Sequence, residues 1–282
     1  MRPRQWAKNI LIFVPLVFDR KLDDLPALTR TLGGFAIFCL IASLVYILND
    51  LVDLEADRSH PNKRSRPLAS GALPIPVARL AIIIIMLVAF PLAYFLSPVF
   101  AVLLFGYLVL NLAYSNWLKH IALIDVFVLA SFYVLRVVAG LTLIHVTRFS
   151  PWLYVVTTLG ALYIGFGKRR AELALMAEEA TTHRRVLDGY TIPLLDQFIT
   201  IVSATTIVAY SLYTFSAPNL PENHTMMLTI PFALYGIFRY LYLIKTEDSG
   251  GAPEDVLFSD RPLQVTLLLW GVAVIAIFYL NF

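Results

Sequence analysis

Hydrophobic positions in this chain come in long unbroken blocks, not in strand-like alternation or the narrow stripe of a surface helix. The blocks predict membrane-spanning helices at residues 29–48, 75–96, 99–117, 121–144, 151–167, 192–213, 226–244 and 262–281. Each has roughly 17–24 residues, enough to cross about 30 Å of hydrocarbon at about 1.5 Å per residue. A shorter apolar segment at 9–18 falls short of a straight crossing unless flanking residues join it. Between it and the next block, L-D-D-L-P at 22–26 brings charge and a proline and predicts a turn. The expectation is an all-α membrane protein, a bundle of nine transmembrane helices forming one domain over 1–282. The longer polar connections at 49–74, 168–191 and 245–261 are expected to cap an intramembrane cavity on the cytosolic side.

Composition agrees. The chain has 282 residues, 59% hydrophobic and 15% charged, with a mean hydropathy of +0.75. That is too apolar for a soluble domain of this length. The single cysteine, Cys39, excludes a disulfide framework and a cysteine-based zinc site. The basic N-terminus, M-R-P-R-Q-W-A-K, has no small-residue cleavage site after its apolar stretch, so no cleavable signal is expected. The net charge of +3 says little, but its distribution says more. With the N-terminus in the cytosol, 17 of the 22 Lys and Arg residues fall on the cytosolic side, and Arg136 lies within a span. The 214–225 connection, which has no Lys or Arg, falls outside.

Polar chemistry concentrates at 49–71, N-D-L-V-D-L-E-A-D-R-S-H-P-N-K-R-S-R-P-L-A-S-G. Asp50, Asp53 and Asp57 share one helix face, spread over about 60° at roughly 100° per residue. Three carboxylates there need a positive charge between them, and Mg²⁺, a hard cation that prefers oxygen ligands, suits them. Asn49 and Asp50 continue directly from the apolar run S-L-V-Y-I-L, and charge near membrane depth is costly. The alternative is a solvated helix end. Lys63, Arg64 and Arg66 follow; they suit phosphate oxygens, or else serve only to orient the chain. Further along, Lys168, Arg169, Arg170 and Glu172 close a span, with Lys168 and Glu172 at i, i+4 as a possible ordinary helix pair. Lys119, Asp125 and Arg136 form another set. Asp125 and Arg136 are three helical turns apart, and Arg136 sits roughly 20 Å along its span, where it needs a polar cavity or an interhelical partner. A last set, E-D-V-L-F-S-D-R-P, holds Glu254, Asp255, Asp260 and Arg261. The five histidines are scattered, and no Gly-rich phosphate loop, Ser-His-Asp set or nucleic-acid motif is visible.

The pattern N-D-x-x-D-x-x-x-D followed by N-K-R-x-R-P-L-A-S-G, after the second apolar block, resembles the UbiA-type intramembrane prenyltransferases. R-P-R-Q-W-A-K-N at 2–9, Y-S-N-W-L-K at 114–119, G-K-R-R-A-E-L at 167–173 and G-A-P-E-D-V-L-F-S-D-R-P-L-Q at 251–264 point to one branch of that superfamily. Its members move a phosphoribosyl group onto a polyprenyl phosphate. The resemblance implies Mg²⁺ on Asp50, Asp53 and Asp57, which with Lys168 form the catalytic set. It implies substrate binding by Asn49, Lys63, Arg64, Arg66, Tyr114, Lys119, Arg136, Arg169, Glu172, Asp255 and Arg261. The substrates would be 5-phosphoribosyl 1-diphosphate and a decaprenyl-type phosphate, in a bacterial inner membrane, with the product feeding cell-wall arabinan. A homo-oligomer is compatible with this.

Aromatic prenyltransferases of the superfamily carry a second D-x-x-x-D motif between spans six and seven. Here that connection offers Lys168, Arg169, Arg170 and Glu172, and Asp188 and Asp196 are too far apart to supply it. Bases in that position suit a phosphate, so the isoprenoid is expected as acceptor and not as electrophile. The competing expectations are an aromatic polyprenyltransferase using a polyprenyl diphosphate, and a transporter using intramembrane charge as an ion path.

Overall fold

The computed structural model describes residues 3–59, 63–146, 150–178, 185–218, 220–246, 256 and 259–280. Helices dominate. The chain opens with a 3-10 helix over Pro3–Phe13 that passes into α1, Val14–Phe18. Then come α2 (Leu25–Val52), α3 (Leu54–Ser59), α4 (Ile75–Leu96) and α5 (Pro98–Asn116). After a 3-10 turn at Leu118–His120 follow α6 (Ile124–Leu141), α7 (Pro151–Glu178), a 3-10 turn at Arg185–Gly189, and α8 (Ile192–Ser216). The last two are α9 (Ile230–Thr246), preceded by a 3-10 turn at Thr225–Thr229, and α10 (Arg261–Tyr279).

Among the described residues, seven helices are long and apolar enough to cross a membrane: α2, α4, α5, α6, α8, Thr225–Thr246 and α10. These correspond to seven of the nine expected spans; the other two expected positions fall on the N-terminal segment and on α7. Trp, Tyr, Thr and Gly dilute the apolar run of α7, which continues past it into the charged segment from Lys168. The N-terminal segment begins earlier than its apolar block. Because 3-10 winding rises about 2.0 Å per residue, Pro3–Phe18 reaches about 30 Å, against about 24 Å for an α-helix of the same length.

Helix starts follow local chemistry. Asp24, Thr191 and Asp260 each accept a hydrogen bond from the backbone N–H three residues on, and each is followed by proline in the first turn. The side chain satisfies one open donor, while the proline occupies a position that needs none. Asp260 also receives two hydrogen bonds from Arg239, of 3.2 and 2.7 Å. That guanidinium and the Leu263 N–H hold its carboxyl below the usual range.

The chain divides into two compact units. The first contains residues 1–16, 24–116 and 135–145. Its core is the face of α2 bearing Phe38, Ile41 and Leu44, with Phe100 and Leu104 of α5. On α4 the fully buried residues Ala78, Ala89 and Ala93 are small, which allows the close helix approach on which packing in lipid depends. The N-terminal 3-10 helix is held to one face of α2: Trp6 Nε1 donates to Ser43 Oγ at 3.1 Å, and Tyr46 OH donates to Gln5 Oε1 at 3.2 Å. At Gly140 a Cβ would lie 2.1 Å from the Ile12 carbonyl oxygen.

The second unit contains residues 17–23, 117–134 and 146–282. Its core gathers Val126, Leu162, Phe166, Leu195, Ile199, Leu243 and Ile244. Tyr163 OH donates to the Ile237 carbonyl at 2.6 Å, joining α7 to α9. Phe18 packs against Tyr213, Trp270 and Phe278.

Gly140→Ala should destabilise the protein by about 3 kcal/mol or more, because rigid backbone blocks the new methyl. Gly160→Ala, with nothing within 4 Å, should be neutral or stabilising by up to about 1 kcal/mol. Thermal unfolding in detergent compares the two. The Asp260 carboxyl is held low in the fold, so its ionic contribution is complete above about pH 4 and is lost as pH falls through the depressed value. Acidification should therefore lower the unfolding midpoint more in the wild type than in Asp260→Asn, which keeps the cap without the charge.

Candidate functional site

In the first unit the polar residues gather where α2 ends. Asp53 is the C-cap of α2, yet its N–H still bonds to the Asn49 carbonyl and the Asp57 N–H to the Asp53 carbonyl. Helical spacing therefore persists through the break. Arg66 Nη1 donates to both Asp50 Oδ1, at 3.3 Å, and Asp57 Oδ2, at 2.5 Å. Asp57 is buried and Asp50 half-buried, while Asp53, Lys63 and Arg64 are exposed. Two carboxylates thus converge on one point of positive charge. Oxygen donors aimed at a cation in this way fit Mg²⁺. Among the described residues, no group of three or more His, Cys, Asp or Glu is already arranged around such an ion.

The segment after the acids explains why Arg66 reaches them. Arg66 N–H bonds to the Lys63 carbonyl, Ser70 N–H to the Arg66 carbonyl, and Leu73 N–H to the Pro67 carbonyl. Leu68 is buried and anchors the turn. Gly71 closes it at φ 80°, a left-handed conformation that suits glycine. The R-P-L-A-S-G run is thus a folded handle that presents a guanidinium. Nearby, Asn49 Oδ1 accepts from Ser115 Oγ at 2.9 Å, and half-buried Tyr114 precedes that serine on α5.

Arg136 is also in the first unit, 5% exposed. Its Nε donates to Asn9 Oδ1 at 2.8 Å and its Nη2 to Tyr107 OH at 3.2 Å. Its guanidinium carbon lies 5.3 Å from the ring centres of both Phe38 and Tyr107. Asn9 is fully buried and donates to Cys39 Sγ at 3.2 Å. The partners that Arg136 needed thus include a neutral amide, a phenol and two ring faces. Asn9 was missed as the acceptor, although an amide at the start of an apolar stretch was a visible signal.

In the second unit the charges of the 168–172 segment have separate destinations. Arg169, 1% exposed, donates from Nε to Asp125 Oδ2 at 2.6 Å and from Nη1 to Glu172 Oε2. Asp125 is fully buried. Its other oxygen accepts from Tyr190 OH at 2.7 Å, and that phenol accepts from the Leu123 N–H at 2.6 Å. Burial and the Asp125 carboxylate push the Tyr190 phenol well above its ordinary value, so it stays a donor. Arg170 donates to Asp196 Oδ1 at 2.9 Å and to the Ile244 carbonyl at 2.7 Å, and Lys245 lies 3.3 Å from Asp196. Lys168 and Lys119 are half-buried and have no partner among the described residues; Arg261 is exposed. Asp255 lies outside the described residues. The alternative of an ordinary Lys168–Glu172 helix pair is not what forms: Glu172 pairs with Arg169. Tyr190 was missed, since no spacing rule connects it to Asp125.

Known proteins match this chain along most of its length. The model of the UbiA prenyltransferase family matches residues 20–259. Decaprenyl-phosphate phosphoribosyltransferase of Mycobacterium tuberculosis is 35% identical over 277 residues, covering 96% of this chain and 90% of that protein. The protein of the same name from Corynebacterium glutamicum is 32% identical over 296 residues, covering 99% and 86%. A UbiA homolog from Archaeoglobus fulgidus, solved with DMAPP and Mg²⁺, superposes with a TM-score of 0.70 at 19% identity, covering 98% of this chain and 97% of that one. With the fold, the acidic motif and the near-full-length relatives in agreement, the chain belongs to the UbiA prenyltransferase family.

Proposed function

We propose that the protein transfers the 5-phosphoribosyl group of 5-phosphoribosyl 1-diphosphate to a long-chain polyprenyl phosphate such as decaprenyl phosphate, releasing diphosphate. The observation that carries this is the match, over nearly the whole chain, to proteins named for that transfer. The charge pattern supports it: Lys168, half-buried and with no partner among the described residues, leaves an ammonium for an acceptor phosphate, while Arg169 and Arg170 pair with acids of this chain.

An oxygen of the polyprenyl phosphate attacks C1 of the ribose from the face opposite the diphosphate. The new C1–O bond forms as the bond to diphosphate breaks, the leaving group keeps the electron pair, and C1 inverts. The nucleophile is already an anion, so no general base is required. Asp50, Asp53 and Asp57, with Asn49, would hold Mg²⁺, which supplies charge neutralisation for the departing diphosphate. Arg66, now between two carboxylates, would turn to a phosphate oxygen, joined by Lys63 and Arg64. Lys168 and Lys119 supply ammonium groups to the phosphates. Arg169 is committed to Asp125 and Glu172 and acts by fixing the helix that carries Lys168. Arg136 holds the N-terminal segment.

The positive-inside distribution supports a multi-pass inner-membrane protein with these charges facing the cytosol. Nine crossings are reached if the N-terminal segment and α7 both span, and the product would serve arabinan assembly.

Purified protein given 5-phosphoribosyl 1-diphosphate and a series of polyprenyl phosphates should yield phosphoribosylated lipid by mass detection. Prenylation of an aromatic acid from a polyprenyl diphosphate, without that product, would overturn the assignment. Chelation of divalent cations should stop transfer and added Mg²⁺ restore it. Asp50→Ala and Asp53→Ala should each lower turnover by about a hundredfold or more while the protein stays folded. Lys168→Ala should lower kcat/KM by about a hundredfold with an unchanged unfolding midpoint. Arg169→Ala should instead cost about 3–5 kcal/mol of stability, because it leaves Asp125 buried without its counter-charge.

A further inference from the structure

Leu123 adopts φ 67°, a left-handed conformation that a side chain disfavours and that persists only where surroundings enforce it. It forms the corner between the Leu118–His120 turn and α6, with its carbonyl accepting from the Phe127 N–H at 2.9 Å. Its N–H donates to the Tyr190 phenol. The phenol is in turn aimed by Asp125, whose second oxygen is held by buried Arg169. At Gly189 a Cβ would lie 2.9 Å from the Ala122 Cβ, so the turn carrying Tyr190 rests directly on this corner. The 3-10 turn ahead of the corner has no side-chain cap of its own. It carries Lys119, a half-buried ammonium with no partner among the described residues.

We infer that Tyr190 is a positioning residue: through Leu123 it locks the 118–123 corner in a strained shape that aims the Lys119 ammonium at a substrate phosphate. The inference rests on the proposed phosphoribosyl transfer. It adds a residue outside every motif that suggested that transfer, and assigns it to substrate binding and not to the chemical step.

The test is steady-state transfer by Tyr190→Phe, which removes the hydroxyl and keeps the ring. KM for one of the two phosphate substrates should rise about tenfold, with kcat within about twofold of wild type. Lys119→Ala should raise the same KM, and Lys119→Ala with Tyr190→Phe should be no worse than Lys119→Ala alone, since both remove one contact. Asparagine tolerates the left-handed region, so Leu123→Asn added to Tyr190→Phe should restore KM. An unchanged KM, multiplicative effects of the two substitutions, or no rescue would overturn the inference. If Tyr190→Phe does not accumulate, recovery of folded protein by Leu123→Asn supports it and failure to recover overturns it. Absence of transfer in the wild type would instead sink the proposed function, and is read before any variant is made.

Discussion

A charge removed from water needs an opposite charge or strong dipoles within reach, and this protein is built around that demand. Asp125 and Arg169 are its sharpest instance, each essentially inaccessible and each the other's partner. Neither could be buried alone. Together they fasten the first turn of α6 to α7, and through Tyr190 and Glu172 they extend that fastening to the turn before α8 and along α7. Asn9, Tyr107 and Phe38 answer part of the same demand at Arg136.

Compensation also sorts residues that look alike in sequence. Lys168, Arg169 and Arg170 are consecutive, but helical geometry points them in different directions. Arg169 and Arg170 meet acids of this chain, whereas Lys168 has no partner among the described residues. At 50–66 the arrangement differs, because Arg66 occupies the acids whose spacing suggests a metal. A guanidinium and a divalent cation are both answers to two facing carboxylates.

Much of this was legible in the sequence. The long apolar blocks marked most of the helices, because hydrocarbon admits few alternatives to a helix of about 20 residues. The acidic face at 50–57 was readable from helical periodicity, and Arg136 stood out as a cation inside a span. The winding of the N-terminal segment was not readable, since 3-10 runs longer than three or four residues are uncommon and nothing in the sequence marks one. Partners were the least visible. Asn9 and Arg136 are 127 positions apart, Tyr190 and Asp125 are 65 apart, and no local rule connects positions so distant.

The Arg136 contacts bear on how the chain is made. Asn9, Phe38 and Tyr107 all precede Arg136, so these three groups have been synthesised before the guanidinium they receive. The most awkward side chain to insert is thus made after these three of its partners. Synthesis order itself therefore shortens the time this arginine spends facing lipid without company.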